Sequence, residues 1–212
     1  MQLKPTIATL LAAATMLAAL PAFANPTDYV KKQTDVVTKV LQKPDSSNRE
    51  KELTKLVKQT IDFRELANRA LGEHWTKRTP EEQQQFLDLL QDLLQANYKN
   101  KLEGQTLGKD YKVTYADEKV REDKAIVKTI IVTKAESKPV EYKLYKNGEG
   151  AWAIFDVVID DISLEETYRD SYVEIIEKEG WASLIKRMQD KAAEISAQAK
   201  NTKGAKTAAK PQ

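Results

Sequence analysis

The chain has no cysteine and a single histidine, His74. Without a thiol it can run no thiolate chemistry and hold no iron–sulfur cluster or cysteinyl zinc. One imidazole cannot make a histidine-based metal cluster, and no Ser, His and acid arrangement reads as a nucleophilic triad. An excess of one charge is also missing: 34 Lys and Arg face 32 Asp and Glu, a formal net charge of +2. That balance gives no electrostatic footprint for nucleic acid. The 7 glycines nowhere form a phosphate loop, since Gly148 and Gly150 belong to a hairpin turn. Beyond the amino-terminal segment no apolar run is long enough to span a bilayer, and no internal repeat is visible.

What is present begins with an export signal. Lys4 precedes a short apolar run from Ile7 to Leu20, and Pro21-Ala22-Phe23-Ala24 supplies the small-x-small pattern cut by signal peptidase. Residues 1–24 are therefore expected to be a cleaved signal peptide, with the mature chain starting at Asn25 and localised to the periplasm. Residues 25–198 suit one domain with a core large enough to do without disulfides. Lys200, Lys203, Lys206 and Lys210, spaced by small and polar residues, predict a disordered basic tail over 199–212.

Apolar periodicity divides the domain. Tyr29, Val36, Val37, Val40 and Leu41 form one helical stripe ending at Pro44, and Leu53, Leu56, Val57 and Ile61 form a second after the Ser46-Ser47-Asn48 cap candidates. Asp62 reads as the N-cap of a third helix, with Gly72 loosening its end. Thr79-Pro80-Glu81-Glu82 is a capping box that starts a fourth, through Phe86, Leu89, Leu90, Leu93, Leu94, Tyr98 and Leu102. After Gly104 and Gly108 the period becomes alternating. Four strands follow, around Tyr111 to Tyr115, residues 125–133, Val140 to Leu144 and residues 152–159, with Asn147-Gly148 as a turn. No helix fits between them, so the sheet should be largely antiparallel. Ser163-Leu164-Glu165-Glu166 opens a last helical region that pauses near Gly180. The fold class is α+β.

Two polar features invite chemistry. His74 lies near a helix end, where a structural role in satisfying terminal groups accounts for it. Asp156, Asp160 and Asp161 could hold a cation, but the residues between them are apolar and β-branched, unlike a calcium loop. Strand-end solvation and capping of the next helix explain them. Neither supports catalysis. More telling is that the second and fourth strands are apolar on both faces. Periodicity alone admits two readings: helices covering both faces, or a sheet and helices enclosing a cavity for an apolar occupant.

Across Trp152-Ala153-Ile154-Phe155-Asp156-Val157-Val158-Ile159-Asp160-Asp161-Ile162-Ser163-Leu164, then Tyr168-Arg169 and Gly180-Trp181-Ala182-Ser183-Leu184-Ile185, the chain resembles the MlaC, or Ttg2D toluene-tolerance, family. Asp62-Phe63, Ala70-Leu71-Gly72, Trp75, Thr79-Pro80-Glu81-Glu82-Gln83 and Phe86 match its pattern too, so the resemblance covers nearly the whole mature chain. The departure is Asp161 where the family usually has Gly; if a positive φ is needed there, Asp tolerates it better than most residues.

The resemblance implies an NTF2-like curved, four-stranded sheet covered by amino- and carboxy-terminal helices around a hydrophobic cavity. It implies a non-enzymatic periplasmic phospholipid shuttle that maintains outer-membrane lipid asymmetry, without a cofactor. Its implied partners are an outer-membrane lipoprotein–porin complex and an inner-membrane ABC transporter with a ring-forming substrate-capture subunit. Carried onto this sequence, the lipid-lining positions on the sheet are Val113, Tyr115, Ile130, Val132 and Val140, followed by Tyr142, Leu144, Trp152, Ile154 and Ile162. Leu71, Trp75, Phe86 and Leu90 would lie above them. The alternatives are a carrier of another lipid such as a hopanoid, a ligand-free periplasmic adaptor, and an NTF2-like small-molecule enzyme.

Overall fold

A computed structural model of the chain describes residues 25–44, 46–104, 111–133 and 136–208, with side chains described outside 95–104, 196 and 198–208. The expected signal peptide lies outside the described residues, as does most of the link between helices and sheet.

The helices start where local chemistry provides an acceptor for free backbone N–H groups. α1 (Pro26–Leu41) has Asn25 as its cap, accepting from Thr27 N at 2.7 Å. α2 (Ser47–Thr60) is capped by Ser46, and α3 (Phe63–Leu71) by Asp62, whose Oδ1 accepts from Glu65 N at 3.0 Å. Gly72, at φ +54°, breaks the path between α3 and the single turn α4 (Glu73–Thr76). The capping box of α5 (Pro80–Gly104) is reciprocal: Thr79 N donates to Glu82 Oε2 at 2.9 Å and Glu82 N to Thr79 Oγ1 at 3.2 Å.

The sheet is antiparallel and follows chain order: β1 (Lys112–Arg121), β2 (Lys124–Val132), β3 (Ser137–Lys146), β4 (Trp152–Ile159) and β5 (Ile162–Ser163). The four expected strands are all present, but the sheet has five. Ile162 and Ser163 pair with Ile159 and Val158 across a two-residue turn, Asp160-Asp161. Both aspartates have positive φ, 50° and 64°, the left-handed pair that a tight hairpin of this hand requires. Two non-glycine residues in that region strain the turn, and the strain persists because the strands on each side hold it. The segment reads in sequence as the lead-in to a helix cap, which hides the fifth strand.

After β5 the chain forms α6 (Leu164–Tyr168), a π-helical turn (Arg169–Val173) and α7 (Glu174–Glu179) in one run. Gly180, at φ +86°, then turns it into α8 (Trp181–Ala208), whose backbone continues into the 199–212 segment expected to be disordered.

Apolar side chains gather in two main clusters. The larger is helical, with Leu66, Phe86, Leu90 and Leu184 nearly or wholly inaccessible. The other lies on the sheet and contains Val30 of α1 with Ala125, Val127, Leu144, Trp152 and Ile154. Ile61 packs against both. It pairs in parallel with Ile154 at the outer edge of β4, and Asp62 N donates to Ile154 O at 2.7 Å.

Candidate functional site

Strand register decides which side chains share a face, because cross-strand partners point the same way. Val113 and Tyr115 of β1 pair with Ile131 and Thr129, and Ala125, Val127 and Thr129 of β2 pair with Leu144, Tyr142 and Val140. Those β3 residues meet Ile154, Val157 and Ile159 of β4, with Phe155 as the extra residue of a bulge. The result is one apolar face across the sheet. It is dry at its centre, where Val127, Val140, Leu144 and Ile154 are buried, and half-buried around it at Val113, Tyr115, Ile131, Tyr142 and Val157.

α1 lies over the β1–β2 side of this face. Its apolar contribution to the sheet cluster is Val30, and Tyr29 packs beside it. Polar contacts add to this: Thr34 Oγ1 and Tyr115 Oη are 2.5 Å apart, Tyr111 Oη donates to Thr38 Oγ1 at 2.6 Å, and Thr27 Oγ1 donates to the Glu118 carboxylate at 2.5 Å. Burial pushes the phenols of Tyr111 and Tyr115 up, so both stay protonated donors at any ordinary pH. Hydroxyls, with the Glu118 carboxylate at one end, thus edge an apolar floor.

The opposite face is held by charge. Asp156 is fully buried and accepts from Ser163 Oγ at 2.6 Å, Lys143 Nζ at 2.9 Å and Glu165 N at 3.1 Å. Burial alone would raise its carboxyl, but the Ser163 hydroxyl, the Lys143 ammonium and the Glu165 amide together hold it below the usual carboxylate range. Asp156 therefore ties β4 to β5 and to the start of α6. On this face Tyr145 Oη also donates to Asp62 Oδ2 at 2.6 Å, and the Arg69 guanidinium stands 4.0 Å from the Phe155 ring centre. Helices thus sit on both faces and fully cover neither.

Of the sheet residues expected to line a cavity, Val113, Tyr115, Val140, Tyr142, Leu144, Trp152 and Ile154 share the apolar face, and Ile162 extends it at the β5 edge. Ile130 and Val132 do not. They pair with Pro139 and Ser137 on the opposite face, each 37% exposed. β2 is apolar on both faces, which leaves alternation without a choice between them. Leu71, Trp75, Phe86 and Leu90 also fall elsewhere: all four are buried in the helical cluster, and among its described buried members there is no sheet residue. Helical period marks a buried side but not what buries it.

The same face also carries Ala125, Val127, Val157 and Ile159, with Val30 of α1 packed on it, none of them among the expected lining positions. Val30 was within reach, since it stands seven residues before Val37 on the same helical stripe. His74 is on α4, its Nε2 4.0 Å from a Glu177 carboxylate oxygen. Among the described residues no three His, Asp or Glu side chains gather as a metal site, and no helix is long and apolar enough to cross a membrane.

The solved structure of the phospholipid-binding protein from Ralstonia solanacearum, in complex with a phospholipid, has the same fold: the TM-score is 0.70 at 24% identity, over 82% of this chain and 99% of that one. No curated protein matches the sequence. Residues 31–190, most of the chain and all of the sheet, match the family described as MlaC protein, and the chain belongs to that family.

Proposed function

We propose that the protein is a periplasmic carrier that holds the acyl chains of a phospholipid on the apolar sheet face while the headgroup stays in water. The observation that carries this reading is that face: its apolar residues extend beyond the centre into a half-buried and then exposed margin. Singly exposed apolar residues are ordinary, but exposed residues continuous with a buried apolar centre form a patch of the kind that marks a binding surface. Membership of the MlaC family and a fold shared with a protein solved with phospholipid support the same reading. An NTF2-like enclosure completed by the helices, an export signal over residues 1–24, and exchange with an inner-membrane ABC transporter and an outer-membrane lipoprotein–porin complex belong to this proposal.

Energetics suit carriage. At about 0.8 kcal/mol per methylene, two acyl chains with about 30 methylenes keep about 25 kcal/mol of hydrocarbon out of water. Between a bilayer and a dry protein face that quantity nearly cancels. The lipid is then held firmly against water yet exchanged near balance with a membrane. Neutral phenols and hydroxyls suit such a site, and among the described residues no acid, base and nucleophile are hydrogen-bonded together on it.

Native mass spectrometry of the exported protein, purified without detergent, tests the reading when paired with lipid extraction of the same sample. The expected result is one phospholipid per chain. Bare protein that also takes no lipid from vesicles overturns the carrier and leaves a ligand-free adaptor.

A further inference from the structure

We propose that the β4–β5 edge is the lip over which acyl chains pass onto and off the sheet, with Ile159 and Ile162 as its apolar surface; this rests on the carrier reading above. The evidence is one cross-strand row. Tyr115 pairs with Thr129, Thr129 with Val140, Val140 with Ile159, and Ile159 with Ile162, so the row crosses all five strands on the apolar face. From its centre outward the exposure rises from 2% at Thr129 and 3% at Val140 to 46% at Ile159 and 64% at Ile162. A single exposed isoleucine needs no explanation. Two that continue a buried row, in register, to the rim of the sheet form an apolar path from floor to solvent.

The exposure is built into the backbone. β5 has only two residues, and they point to opposite faces. Ser163 is 3% exposed and donates to buried Asp156, which is also paired with Lys143. That anchor fixes β5 beside β4, so Ile162 is held outward and cannot fold down to cover itself. The left-handed Asp160-Asp161 turn closes the hairpin and leaves two carboxylates just beyond the isoleucines, with Lys138 Nζ 3.6 Å from Asp160 Oδ2. An apolar step bordered by charge, continuous with a hydrocarbon floor, fits the tail of a lipid in transit.

The test uses delipidated protein and vesicles of phosphatidylethanolamine and phosphatidylglycerol that contain a phospholipid with a fluorescent acyl chain. Ile162→Glu, at an exposed site, should slow both uptake and release about tenfold or more, because passing methylenes then meet a hydrated carboxylate. The amount bound at equilibrium should stay within about twofold of wild type, and Ile162→Leu should transfer at the wild-type rate. Val132→Glu is the control: Val132 is 37% exposed on the opposite face of the sheet, and its variant should transfer normally. Wild-type rates in Ile162→Glu, or equal slowing by Val132→Glu, overturn the lip alone. A defect that appears only when a membrane protein complex offers the lipid assigns the edge to protein docking and also overturns it. Wild-type protein that takes up no lipid overturns the carrier reading itself.

Discussion

In the helical layer, rings close on rings. Phe86 meets Trp75 at 5.8 Å, Tyr172 at 5.9 Å and Trp181 at 5.5 Å between centroids, and Tyr172 stacks on Tyr168 at 5.1 Å. On the sheet, aliphatic side chains run on past the helix laid over them and finish in solvent at Ile159 and Ile162. Both regions are apolar, but one is packed as a solid and the other is left with an open margin. The contrast separates the work of the two layers: the helices supply stability and the sheet supplies a surface.

Phe86→Ala should show the largest effect, because the cavity left among three rings cannot collapse; a loss of about 3–5 kcal/mol is expected in urea denaturation. Asp156→Asn comes next. It weakens the charge-assisted bonds that hold β5 and α6, at a cost of about 2–3 kcal/mol. Its pH signature has a definite sign. The folded carboxyl titrates below its ordinary value of 3.8, so its contribution is complete above that value and is lost as pH falls through the lowered one. Wild-type stability should therefore drop in that acid window more steeply than that of Asp156→Asn, as followed by urea midpoints at a series of pH values.

On the sheet, Val157→Ala should cost no more than about 1 kcal/mol, because a half-buried margin has little packing to lose. A loss equal to that of Phe86→Ala would erase the contrast and make the sheet face an ordinary core. The smallest effect is expected from Thr34→Val, which removes the hydroxyl facing Tyr115. Water can reach that edge, so the loss should stay at or under about 1 kcal/mol in the same denaturation assay.

Caps and strand positions were legible because each is written in a few adjacent residues. Asp62, Thr79 with Glu82, and Asn147 with its turn all act where their spacing places them. The side of the sheet was harder to read, and β2 shows why. Ile126, Val127, Ile130 and Ile131 satisfy either face, so only the partner strand can choose. β3 does choose: Val140, Tyr142 and Leu144 alternate with Glu141 and Lys143, and the hairpin register then sends Ile130 and Val132 to the other face. Aligning β2 against β3 would have recovered this. The fifth strand is local, pairing across Asp160-Asp161, but the cap at Ser163 hides it. The separation of Leu71, Trp75, Phe86 and Leu90 from the sheet depends on long-range packing, which no local pattern records.

The π-helical turn at Arg169–Val173 has a consequence for comparing sequences. Such a turn holds one residue more than the α-helix on each side of it, with hydrogen bonds that reach one position further. It is equivalent to a single-residue insertion absorbed without breaking the rod. A relative that lacks one residue here can keep α6 and α7 in the same directions, with its ladder simply regularised. Alignments through this segment should then open a one-position gap, and matching it residue for residue would misplace Tyr168 against Tyr172 by a fraction of a turn.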